Sequence, residues 1–205
     1  MTERTEPAAP AASTLPATSA FAAAPPAGVA IRAAAASDAR SYREFWSAVV
    51  AEGRYVRSDR VTRSVLDYRR LFRRSRTPDR AEILAVHGAR VVGHISVARE
   101  ETSVTRHVAS LGMAVAADWR GRGIGTALMA EAFAWARWAG VEKIALSVYP
   151  DNPAARSLYA KFGFEEEGRL TGHSKKAVGY RDEIVMGVWL IPRPAGGGEE
   201  RGRAG

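Results

Sequence analysis

Between positions 115 and 126 the chain reads Val115-Ala-Ala-Asp-Trp-Arg-Gly-Arg-Gly-Ile-Gly-Thr126, a strand-like run that passes through three alternate glycines into helical spacing. Residue types in that order suit the binding of an anion. The first backbone N–H groups of a helix have no partner within it and carry the positive end of its dipole, so a pyrophosphate is held there without a cationic side chain. Gly121, Gly123 and Gly125 are expected to take positive φ and to keep Cβ atoms clear of phosphate oxygens. Ile124 and Thr126 would present their amides, and Arg120 and Arg122 would add charge at the rim. Two commoner phosphate signatures are excluded: a Walker loop needs Gly-Lys-Ser/Thr, and G-x-G-x-x-G fails at Thr126 and Leu128. The competing reading is a glycine-rich turn that only starts a helix.

A second segment, Asn152-Pro-Ala-Ala-Arg-Ser-Leu-Tyr159-Ala-Lys161-Phe-Gly163-Phe164, sets Asn152 and Tyr159 seven positions apart. On a helix they share a face, roughly 10 Å from one another. Alone, the pair reads as an N-cap and a packed tyrosine. Together the two segments carry a resemblance. Arg120-x-x-Gly123-x-Gly125 resembles the R/Q-x-x-G-x-G/A acetyl-coenzyme A signature of the GNAT superfamily of N-acetyltransferases, and the second segment resembles that family's N-x-x-A-x-x-L-Y-x-K-x-G-F. Val91-Val-Gly-His-Ile-Ser-Val97 and Gly179-Tyr-Arg-Asp-Glu-Ile-Val-Met186 are similar to its third strand and to the closing strand of amino-acid N-acetyltransferase-like members. The likeness covers about residues 29–190.

The resemblance implies direct acetyl transfer from acetyl-coenzyme A, used as a co-substrate, to a primary amine in a ternary complex; a chain without cysteine agrees with the lack of an acyl-enzyme. It implies backbone contacts from Met113 and Val115 to the pantetheine arm, an amide of that strand for the oxyanion, and Tyr159 as the acid that protonates the departing thiolate. Asn152 would touch the pantetheine. A proton acceptor for the incoming ammonium has no motif behind it. Glu52, Glu100 and Glu101 fall near element ends that would border the acceptor cleft, and His173 is expected between the last strands on the acceptor side. His94 and His107 fall within strands, where a structural role is expected, and His87 in a turn. No spacing suggests a metal site.

The net charge is +8, and most of the surplus is local: residues 54–80 hold ten arginines against Asp59, Asp67 and Asp79. Val61, Val65, Tyr68 and Phe72 recur at helical spacing there, so the preferred reading is a solvated helix face, with a docking surface for an acidic acceptor or RNA as the alternative. A small amino-acid-like acceptor is expected, a peptide amine such as a protein or ribosomal-protein N-terminus being the variant. A non-catalytic acyl-coenzyme A or RNA-binding module is the competing class. A homodimer is compatible with all of these.

The elements that must position these residues follow from periodicity. Residues 29–33 read as a strand, 37–51 and 58–74 as helices capped by Ser37 or Asp38 and by Ser58, and 81–87, 91–99 and 107–115 as an antiparallel meander. A helix over 123–139, a strand over 143–148, a helix from Pro153 to about 162, and strands over 164–172 and 180–190 complete the order β-α-α-β-β-β-α-β-α-β-β. This is an α+β fold with helices against a mixed sheet, which the resemblance makes GNAT-like and largely antiparallel. Residues 1–28, rich in Ala and Pro, and residues 192–205 read as disordered tails around one domain over 29–191. Glu3, Glu6 and recurrent prolines argue against a secretory signal, no run of 18 apolar residues suggests a membrane span, and the expected compartment is the cytoplasm.

Overall fold

The computed structural model describes residues 24–177 and 179–192. Most of both expected tails, residues 1–23 and 193–205, lies outside the described residues. Strands β1 (Val29–Ala33), β2 (Arg80–His87), β3 (Arg90–Arg99), β4 (Val108–Val115), β5 (Lys143–Val148), β6 (Glu165–Lys176) and β7 (Gly179–Trp189) form one sheet in the order β1-β2-β3-β4-β5-β7-β6. Only the β4–β5 pairing is parallel. The helices are α1 (Ala39–Ala51), α2 (Val65–Phe72), α3 (Ile124–Trp138) and α4 (Pro153–Lys161), so the α+β class, the mixed sheet and the element order agree with the expectation from sequence.

Alternation along each strand divides the core. Ile83, Ile95, Val97, Ile144, Leu146 and Ile184 pack with Leu128, Phe133 and Trp135 of α3 on one face. Leu84 and Val86 pack with Tyr42, Phe45 and Val49 of α1 and with Tyr68 and Phe72 of α2 on the other.

The second helix begins later than the arginine-rich pattern suggests. Ser58 caps nothing: the cap is Ser64, whose hydroxyl accepts from the Asp67 N–H at 3.3 Å while the Asp67 carboxylate accepts from the Ser64 N–H at 2.9 Å. That reciprocal capping box outweighs the apolar spacing from Val61, and residues 53–64 become a loop beside the sheet. At the far end β6 runs on to Lys176, which places His173 within a strand, exposed, rather than between strands.

One irregularity at the sheet centre creates the site. β4 pairs with β3 from Ala109 to Val115, but with β5 only over Val108, Ala109 and Ser110. Beyond Ser110 and Ala145 the two strands part. The β3 ladder continues through the Ala116 N–H to Val92 O at 3.0 Å, so antiparallel alternation turns the backbone groups of Leu111, Met113 and Val115 away from β3, toward the gap.

The start of α3 is seated on the sheet by Gly93 of β3. A Cβ at that position would stand 3.0 Å from Ile124 Cγ2, 3.1 Å from Leu128 Cδ1 and 3.2 Å from the Ala85 methyl. Gly93→Ala is therefore expected to cost about 1–3 kcal/mol through overpacking, read as a lower midpoint in chemical denaturation; an unchanged midpoint would show that this contact does not fix α3.

Candidate active site

The gap opens into a cavity of about 1020 Å³ that runs from the start of α3 past Tyr159 to the loop after α1. At one end, Gly123 is the N-cap of α3 at φ 83°, and among the described residues no side chain caps the helix end with a hydrogen bond. The first intrahelical bond is Ala127 N–H to Gly123 O, so the amides of Ile124, Gly125 and Thr126 begin the helix without internal partners. Gly121, also at positive φ (73°), completes the turn. Gly125 departs from the expectation: its φ is helical, and its lack of a side chain serves packing, since a Cβ there would meet Leu158 Cδ2 of α4 at 3.0 Å.

The two arginines of the turn have different fates. Arg120 is held as a strut, donating from Nε to Val115 O at 3.0 Å and from Nη2 to both Glu52 carboxylate oxygens at 2.7 and 2.8 Å. It lines the cavity while tying the turn to the end of α1. Arg122 instead lies over the Trp119 ring at 5.0 Å and is not among the lining residues.

At the gap itself, Met113, Val115, Asn152 and Tyr159 all line the cavity. Asn152 caps α4 through Oδ1, accepting from the Ala155 N–H at 3.2 Å, so its structural role is present whatever else it touches. Tyr159 is 6% exposed, and burial pushes its phenol up to about 12, which keeps it protonated at neutral pH.

Of the residues considered as proton acceptors, Glu52 is committed to Arg120, and Glu100, which accepts from the Ser110 hydroxyl, does not line the cavity. Neither Glu101, His87, His107 nor His173 lines it. Sequence reasoning missed two buried carboxylates that do, Glu82 on β2 and Glu183 on β7, 3% and 1% exposed. Glu82 carries a local signal, as the one charged residue in the apolar run 81–86, whereas Glu183 directly follows Arg181 and Asp182 and nothing in the local pattern singles it out. His94 is structural as expected, yet it also faces the cavity. The Tyr42 hydroxyl lies 3.1 Å from His94 Nδ1, and His94 Nε2 lies 2.8 Å from Glu82 Oε2. A neutral imidazole satisfies both contacts by donating to the carboxylate and accepting from the phenol. Arg80 Nη2 donates to Glu82 Oε1 at 2.9 Å and the Ser96 hydroxyl to the same oxygen at 3.3 Å. Among the described residues no group of His, Asp or Glu is arranged to hold a metal, and no helix is long and apolar enough to cross a membrane.

The sheet is thus split between β4 and β5, with a helix start lacking a side-chain cap at the mouth and a protonated tyrosine on the wall, an arrangement able to admit a long anionic ligand. The profile of the Acetyltransferase (GNAT) family matches residues 42–164. L-amino acid N-acetyltransferase AaaT of Escherichia coli (strain K12) is 35% identical over 110 residues, which are 53% of this chain and 68% of that protein. Among solved structures, an acetyltransferase of the GNAT family from Streptococcus pneumoniae superposes with a TM-score of 0.74 at 23% identity, covering 80% of this chain and 99% of the other. A GNAT superfamily phosphinothricin acetyltransferase from Sinorhizobium meliloti, in complex with acetyl-coenzyme A, superposes with a TM-score of 0.71 at 21% identity, covering 80% and 89%. The chain belongs to the Acetyltransferase (GNAT) family and is an N-acetyltransferase.

The buried chain of Tyr42, His94 and Glu82 yields a pH prediction. Burial alone would raise the Glu82 carboxyl, but His94 and Arg80 hold it below the usual carboxylate range. A depressed folded-state pKa contributes stability above the unfolded value, about 4.3 for Glu, and that contribution is lost as pH falls toward the folded value. Glu82→Gln is expected to be less stable than the parent at pH 7, with the difference in denaturation midpoint shrinking below about pH 4. A difference that stays constant between pH 7 and 3 would contradict this.

Proposed function

We propose that the protein moves an acetyl group from acetyl-coenzyme A directly to the primary amine of a small amino-acid-like acceptor. The observation that carries the reading is that the uncapped start of α3, the free backbone edge of β4 and Tyr159 open on one cavity. The amides of Gly121, Gly123, Ile124, Gly125 and Thr126 hold the pyrophosphate, with Arg120, its charge paired with Glu52, bracing the turn and Arg122 contributing charge from outside the cavity. Pantetheine then adds to the edge of β4 at Met113 and at the Val115 N–H, the Val115 carbonyl being taken by Arg120, as an extra strand would, with Asn152 beside it. The thioester carbonyl meets a free amide of that edge, which stabilises the oxyanion as the amine attacks. Tyr159 gives its proton to the thiolate as the C–S bond breaks.

The acceptor class rests on charge. Arg57, Arg60 and Arg63 of the loop after α1 line the cavity, so part of the arginine surplus faces the site rather than a solvated helix. Arginines there favour an acceptor with an anionic group, in keeping with the named activity of the Escherichia coli relative toward L-amino acids.

Thiol release from acetyl-coenzyme A should depend on an added L-amino acid, with carboxylate-free amines and peptides poorer. Tyr159→Phe should lower kcat by about 100-fold or more while the affinity for acetyl-coenzyme A, measured by calorimetry, holds. A kcat within threefold of the parent would remove Tyr159 from the chemistry.

A further inference from the structure

We propose that Glu183 and Arg57 together form the subsite that reads the α-amino acid, with Glu183 taking the ammonium and then its proton, and Arg57 taking the carboxylate. The proposal rests on the amino-acid reading above.

Glu183 lies on the side of β7 opposite Ile184, hence on the face of the sheet that carries His94 and Ser96 rather than under α3. Its side chain is 2% exposed, and its two oxygens are not equally served. Oε1 accepts from the Ser174 hydroxyl of β6, which in turn accepts from the Tyr149 hydroxyl at 3.3 Å. Oε2 is buried at the cavity wall with no hydrogen-bond partner among the described residues. A carboxylate oxygen removed from water retains its demand for a donor, and the cavity is the side from which one arrives. An ammonium group, with three N–H donors and a positive charge, meets that demand.

Arg57 Nη1 stands 3.7 Å from Oε2, within ion-pair range but without a hydrogen bond, and the Arg57 side chain is 68% exposed at the cavity mouth. An α-amino acid carries ammonium and carboxylate on one carbon, so its receptors must stand side by side with opposite charge, as these two do. The loop bearing Arg57 is fixed from the β6–β7 pair. Lys176 Nζ donates to the carbonyls of Val56, Arg57 and Ser58 at 2.8, 2.9 and 3.2 Å, and Arg181 donates to Arg54 O while its guanidinium covers the Tyr149 ring at 3.7 Å. The charged and titratable groups on this side of the cavity are Arg57, Lys176, Arg181, Asp151 and Tyr149, of which Lys176 is engaged with backbone carbonyls and Arg181 with Arg54 O and the Asp151 carboxylate.

The protons balance. Glu183 Oε2 takes one proton from the ammonium, and the free amine attacks the thioester carbonyl. As the tetrahedral adduct collapses, the C–S bond breaks, the thiolate takes the Tyr159 proton, and the second proton lost by nitrogen restores Tyr159. Glu183 returns its proton to water.

The test is kcat/KM against pH for the full chain, Glu183→Gln and Arg57→Met, with an L-amino acid and its carboxamide as acceptors. Glu183→Gln is expected to lose at least 50-fold at pH 7 and to recover tenfold per pH unit as the pH approaches the acceptor's own ammonium pKa. Calorimetric binding of acetyl-coenzyme A reports that its fold is retained. Arg57→Met, at an exposed position, is expected to lower the acid-to-amide ratio of kcat/KM at least tenfold. A Glu183→Gln deficit under threefold, or one that does not change with pH, overturns the proton-acceptor role. An unchanged acid-to-amide ratio in Arg57→Met overturns the carboxylate role. If the parent enzyme uses only carboxylate-free amines, the amino-acid reading and Arg57 fall together, and Glu183 is judged by the same pH profile on that amine.

Discussion

β4 and β5 share three residue pairs and then separate, and the rest of the site depends on that parting. Each strand is held on its other side, β4 along β3 and β5 along β7, so neither can close the gap without breaking a longer ladder. Arg120 reinforces the separation by joining Val115 O, at the end of β4, to Glu52 at the end of α1. Backbone polar groups at a strand edge require partners from water or from a ligand, which makes the gap a template for an extended molecule bearing amides. The same parting brings the start of α3 to the mouth of the gap and Tyr159 to its wall.

Charge is arranged on that frame with little waste. Glu82 is surrounded by His94, Arg80 and Ser96, and the phenol of Tyr42 completes a chain that pins α1 to two strands. Breaking such a buried set leaves an uncompensated charge, so it fixes the distance between α1 and the sheet and with it the width of the cavity. Glu183 differs from Glu82 in having an oxygen left over. Two buried carboxylates on one face thus serve different ends, one holding the walls and the other facing the space between them.

Much of this was legible in the sequence, and the exceptions have physical causes. β1 and β5 have the bounds that alternation and turn residues indicate, because their patterns meet no competing local signal. The start of α2 was misplaced because an apolar spacing beginning at Val61 competes with the Ser64–Asp67 capping box, and the local hydrogen bonds decide. That shift also moves Arg60 and Arg63 from a helix face to the loop that bears Arg57, against the cavity, which composition alone does not reveal. Gly125 has the local pattern of a turn glycine, but its neighbour Leu158 lies 33 positions later, on a helix whose approach no local pattern encodes. Glu82 and Glu183 escape local pattern for a similar reason, since His94, Ser96 and Ser174, which hydrogen-bond to them, stand on neighbouring strands.

The parted strands and the start of α3 are proposed to form together one binding site for acetyl-coenzyme A. The most direct test of that proposal is a crystal structure of the protein soaked with coenzyme A. The expected result is pyrophosphate density against the amides of residues 121–126, the pantetheine lying along residues 111–115, and the sulfur within hydrogen-bond reach of the Tyr159 hydroxyl. A cofactor bound elsewhere on the surface, or a sulfur remote from Tyr159 with the gap filled by water, would contradict it.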